Sequence, residues 1–224
     1  MIKIAHLYYD LLNLYGENGN MLAIKDYLDH NNVEYQIDFV TVDDKIDFTK
    51  YDLIYVGSGT EKNILIALND LIKYKGDLKK YLNANKYIIA TGNANILFGK
   101  TYKTLEKEII DTLNLFDYES KETHFRTVGE QIYKDHDNKN IVGFLNHQVA
   151  FKNYDANMFK VVRGNGYAPH KHKEGLKDKN FYGTLLIGPF LIRNPYFTQS
   201  LINQFLKDNN LESKNYINED SIKE

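Results

Sequence analysis

The chain has 224 residues, of which 43% are hydrophobic and 26% charged, with a formal net charge of -2. That length is enough for one domain with a sizeable core, and the charge balance gives no bulk attraction to nucleic acid. There is no cysteine, so disulfides, thiolate metal sites and every cysteine-based mechanism are excluded.

Residues 2–8 read as a first strand, because MIKIAHLYYD turns polar too soon for a signal peptide. No apolar run reaches the about 18 residues of a membrane span. A cytoplasmic location is therefore expected. Residues 19–30 carry Met21, Leu22, Ile24, Tyr27 and Leu28 at helical spacing, and 35–42 and 53–56 are short Ile, Val and Tyr-rich strands. Residues 64–74 and 78–82 are helical in pattern, and 87–90 is the next strand. This alternation predicts a mostly parallel sheet flanked by helices. From about residue 125 the pattern changes to short β-like pieces at 127–133, 141–144 and 159–162. A loop over 164–175 follows, then a strand over 181–186, a turn at Gly188-Pro189 and a helix over 195–206 that opens on Pro195. We expect one domain over 1–208 and a polar, frayed tail over 209–224, with no repeat or linker.

In open α/β sheets, ligands bind beyond the carboxyl ends of the strands. In order, the loops there are HLYYDLLNLYGENGNMLAIK (6–25), VGSGTEKN (56–63), ATGNANILFG (90–99), VGFLNHQ (142–148), RGNGYAPHKHKEG (163–175) and YGTLLIGPFLIRNP (182–195). Together they resemble the CobB/CobQ-type class I glutamine amidotransferases, and most nearly the GatD glutaminases of lipid II isoglutaminyl synthase. The resemblance runs from residue 4 to about 206, and DLLNLYGENGN is its most specific segment. It implies a flavodoxin-like α/β fold with additional β strands in the C-terminal half. It also implies glutamine hydrolysis, with ammonia passed to a Mur-ligase-like (MurT-type) partner, and no cofactor or metal.

In that family, G-G-G-x-D after the third strand helps build an oxyanion hole from backbone amides. Here the loop is Gly57-Ser58-Gly59-Thr60-Glu61. A plain strand-to-helix turn explains the same residues. The family elbow, close to G-I-C-G-G-Y-Q-L-L-G, puts its cysteine at Gly92 when anchored on Leu97-Phe98-Gly99. The family G-T-Y-L-H-G-P puts its histidine at Ile187 in Gly183–Pro189, and no histidine follows Gly175. The resemblance thus implies a glutaminase without nucleophile or acid/base. No catalytic residue is assigned.

Thr91 with His147 is one substitute pair, since VGFLNH matches the family G-F-E-N-H. Arg126 falls where the family has an arginine near the glutamine, although a surface salt bridge explains it equally well. Asn165 reads as a turn residue. His170 and His172 read as a solvated loop rather than half of a metal site, as does the mixed-charge run 171–179. A binding or scaffolding subunit that retains a small-molecule pocket is the expected role. The alternatives are a glutaminase or other hydrolase with a non-cysteine mechanism, and a cobyrinic-acid-type amidotransferase relative.

Overall fold

The computed structural model describes residues 1–215 and 217. The first half alternates strand and helix: β1 (Ile2–Leu7), α1 (Asn18–His30), β2 (Tyr35–Val40), β3 (Leu53–Val56), α2 (Glu61–Leu71), α3 (Lys75–Asn83) and β4 (Tyr87–Thr91). A 3-10 turn over Gly92–Phe98 leads to short strands β5 (Thr101–Lys103) and β6 (Ile109–Asp111). The long hairpin β7 (Glu119–Lys134) and β8 (Asn140–Lys152) follows, then β9 (Phe159–Arg163), β10 (Lys173–Glu174), β11 (Leu176–Asp178) and β12 (Phe181–Thr184). Helices α4 (Phe190–Arg193) and α5 (Pro195–Asp208) complete the order.

The first sheet runs β11-β12-β4-β3-β1-β2 and is parallel except for the β11–β12 pair. Every residue of β3 and β4 is buried, as expected of central parallel strands covered on both faces. Successive residues serve opposite faces. Ile54, Val56, Ile88 and Ala90 join the core with Ile64, Leu68 and Leu71 of α2 and Leu78 and Tyr81 of α3. Leu53, Tyr55, Tyr87 and Ile89 join the core with Met21, Ile24 and Leu28 of α1 and Ile202 and Phe205 of α5. Thr60 caps α2 by accepting the Asn63 amide at 3.1 Å, and Pro195 opens α5 where a missing N–H costs nothing.

The second sheet runs β10-β9-β7-β5-β6, with β8 paired to β7. The expected additional strands in the C-terminal half are present, with longer extents. The piece at 127–133 is part of a 16-residue strand, and 141–144 is part of a 13-residue one. The first half of β7, with β5 and β6, lies where no strand was expected. Lys173–Glu174 forms a strand at the end of the expected loop 164–175. Part of the expected frayed tail is anchored, with the Lys214 amide donating to Asn31 Oδ1 at 2.6 Å and the Ile217 amide to Gln199 Oε1 at 2.7 Å. The rest of that tail, Tyr216 and 218–224, lies outside the described residues.

Candidate functional site at the strand ends

The carboxyl ends of β1, β3, β4 and β12 converge on one polar cluster and one apolar contact. The polar cluster centres on Glu17, fully buried where the loop after β1 enters α1. Its Oε2 accepts the Tyr55 hydroxyl at 2.6 Å, the Asn20 amide at 3.2 Å and the Thr91 hydroxyl. Asn20 also donates to the Tyr55 oxygen at 2.7 Å and accepts the Leu191 amide at 2.7 Å, which ties α4 to the cluster. Burial raises the Glu17 pKa, opposed in turn by Thr91, Tyr55, the nearby Ser58 amide and Asn20. Oε1 completes no hydrogen bond of ordinary geometry. Burial and the Glu17 charge together raise the Tyr55 pKa, so its phenol is a donor at neutral pH.

The loop Gly57-Ser58-Gly59 lies against residues 11–17. A Cβ on Gly57 would collide with the Leu12 carbonyl oxygen and lie 2.8 Å from Glu17 Cβ, so only glycine fits. Two donors of this loop are already engaged. Asn93 Oδ1 accepts the Ser58 hydroxyl at 2.9 Å and the Gly59 amide at 3.1 Å, and Asn93 Nδ2 donates to the Gly59 carbonyl at 2.7 Å. One carboxamide thus pins both backbone groups of Gly59.

Gly92 follows Thr91 at φ +58°, the left-handed conformation that favours glycine. A Cβ built there would lie 2.5 Å from Ser58 Oγ and 2.8 Å from Ile187 Cγ2. Gly92, Ile187 and Ser58 therefore meet at one point, and all three are buried. Ile187 is held there by donating its amide to the Phe144 carbonyl of β8 at 3.0 Å. Two strand-end loops, their hydrogen bonds and an isoleucine side chain fill the elbow.

The other residues singled out in the sequence sit on the second sheet. Arg126 is exposed beside a β-bulge and donates to Asn146 Oδ1 at 2.6 Å. His147 is buried on β8, with Nδ1 3.1 Å from the Val149 carbonyl and Nε2 without a hydrogen-bond partner. Burial, aided by the Arg126 charge, lowers its pKa to about 4. Among the described residues neither is hydrogen-bonded to the 57–59 loop, and Thr91 bonds to Glu17 and Tyr55 rather than to His147. The Asn165 carbonyl accepts the Tyr133 hydroxyl at 2.7 Å in the loop after β9. His170 and His172 are exposed, and the described residues contain no cluster of three metal-ligating side chains. Glu17, Asn20, Tyr55 and the role of Asn93 were not foreseen individually. Two of them lie in DLLNLYGENGN, the segment whose resemblance was most specific.

Residues 3–195 match the CobB/CobQ-like glutamine amidotransferase domain, and the chain belongs to that family. Among individual proteins, it is 30% identical over 210 residues to the Streptococcus pneumoniae lipid II isoglutaminyl synthase (glutamine-hydrolyzing) subunit GatD, covering 92% of this chain and 81% of the relative. It is 26% identical over 201 residues to the Staphylococcus aureus subunit of the same name, covering 90% and 83%. The glutaminase domain of Trypanosoma brucei CTPS with bound acivicin shares the fold, with a TM-score of 0.59 at 11% identity and coverage of 97% and 96%.

Proposed function

We propose that this chain is a catalytically degenerate GatD-type subunit, a binding or scaffolding partner of a Mur-ligase-like enzyme that amidates lipid II in the cytoplasm. The observation that carries the reading is the contact at the elbow. A chain without cysteine has glycine against isoleucine where its family resemblance requires a thiol against an imidazole. The peptidoglycan setting, rather than a cobyrinic-acid one, rests on two lipid II relatives matched over nine-tenths of the chain. In the described residues, no helix is long and apolar enough to cross a membrane.

The closed elbow also speaks against a retained small-molecule pocket at Gly92. A glutamine carboxamide bound there would have to displace Asn93 from the Gly59 amide and Ile187 from the space above Gly92. A subunit of this kind contributes surface and stability to its partner, while the ligase takes ammonia from solution. Copurification with a tagged Mur-ligase-like protein tests this, and a monomer that leaves such a ligase unbound and no more stable contradicts it.

A second reading, hydrolysis through Thr91, has one observation in its favour: its hydroxyl donates to a buried carboxylate with a raised pKa. Against it, Thr91 is fully buried. Turnover of glutamine that disappears in Thr91→Ala would establish that reading.

A further inference from the structure

The second sheet brings together three lysines that lie far apart in sequence. Lys134 of β7 is directly opposite Lys160 of β9, and Lys160 is directly opposite Lys173 of β10. Neighbouring strands are roughly 4.8 Å apart, so the row spans roughly 10 Å on one sheet face. The rows beside it, Tyr133 opposite Val161 and Phe159 opposite Glu174, point into the core. The lysines accordingly face solvent, Lys160 and Lys173 exposed and Lys134 half-buried.

Like charges directly opposite one another destabilise a sheet. Among the described residues, no ion pair engages this row. The described ion pairs on this sheet, Lys152–Glu119 and Arg193–Glu130, leave all three lysines without a carboxylate. Lys134 donates only to the neutral Asn138 carbonyl at 2.9 Å, and Asp135 is occupied by the Asp137 and Lys139 amides of its turn. The segment 159–179 holds six Lys or Arg against two Asp or Glu, one of them the buried Glu174, inside a chain whose net charge is -2.

We propose that this lysine row is a docking surface for an anionic phospholipid bilayer. The row lies on an exposed sheet face, which suits an extended array of phosphates better than one small anion. Val162, on the same face of β9 as Lys160, is 58% exposed and supplies apolar contact at the headgroup level. Lysine stems can lie along such a boundary while their ammonium groups reach phosphate. The inference does not depend on the state of the elbow. It rests on the proposed lipid II setting only for why a subunit whose described helices do not cross a membrane would work at a bilayer.

Cosedimentation of the isolated chain with phosphatidylglycerol-rich and with pure phosphatidylcholine vesicles tests it without ligase or glutamine. Binding is expected only to the anionic vesicles and is expected to weaken as salt rises. Lys160→Gln should weaken it about fivefold, and the triple variant with Lys134→Gln and Lys173→Gln about a hundredfold. The triple variant should melt no lower than the parent, because repulsion is relieved. If it fails to fold, Lys173→Gln on the edge strand alone decides, with the same fivefold loss expected. Equal binding to both vesicle types, or variants that bind as tightly as the parent, would overturn the proposal. So would lysine-dependent capture of inorganic pyrophosphate or of an acidic protein with no vesicle binding.

Discussion

The Glu17 cluster and the Gly92–Ile187 contact occupy neighbouring strand ends and treat buried polarity in opposite ways. Around Glu17, hydroxyls from β3 and β4 and a carboxamide from α1 converge on one carboxylate. At Gly92 the nearest side chains are a serine turned to Asn93 and an apolar isoleucine. The first region holds the loops in place, and in the second the Ser58 hydroxyl is spent on Asn93, with neither a thiol at Gly92 nor an imidazole at Ile187. The family architecture at these strand ends therefore depends on groups distinct from those its chemistry requires.

The contrast can be broken from either side. Glu17→Ala strands the Thr91, Tyr55 and Asn20 donors in the core and should cost about 3 kcal/mol or more in denaturant titration. A loss below about 1 kcal/mol would mean that the cluster does not organise the strand ends. Gly92→Cys should cost about 2 kcal/mol, because the new Cβ meets Ser58 and Ile187 and the backbone is left-handed. The double variant with Ile187→Ala should be about 1 kcal/mol less destabilised than the sum of the two single variants, and strict additivity would mean that the two positions do not touch.

A pH series sharpens the picture on the far side of β12. Glu174 is fully buried, accepting the Leu185 amide at 2.6 Å and the Thr184 hydroxyl at 2.8 Å, just before the chain reaches Ile187. Burial pushes its carboxyl from 4.5 up to about 7. An acid raised in this way stabilises the fold fully below pH 4.5, and the contribution is lost as the pH rises through 7. The advantage of the parent over Glu174→Gln should therefore shrink by about 3 kcal/mol across that window. His6 and His147, both lowered to about 4 by burial, act in the opposite direction in both proteins and cancel in the difference. Smallest of all, Arg126→Ala should change stability by less than about 0.5 kcal/mol, since the side chain is exposed.

Much of the parallel sheet was legible from residues alone. The strand at Leu53–Val56 has the expected bounds, and α1 and α5 differ from expectation by one or two residues at their ends. β5 and β6 were not legible, because three residues with charged neighbours show no periodicity. The first half of β7, ESKETHF, is polar and has one buried residue among seven, so no buried face marks it as strand. The Glu17 cluster was half legible. Its segment stood out, but its partners Tyr55 and Thr91 are 38 and 74 positions away, and burial of a carboxylate is a tertiary fact. The lysine row was hidden for the same reason. Lys134, Lys160 and Lys173 become neighbours only through strand pairing.

The central claim is that the elbow does no chemistry, and ammonia release from L-glutamine measures this most directly. Assayed alone and with a Mur-ligase-like partner, the chain should release no more ammonia than buffer, while the partner still amidates its substrate with added ammonium. Glutamine-dependent ammonia that requires this chain and is lost in Thr91→Ala would contradict the account.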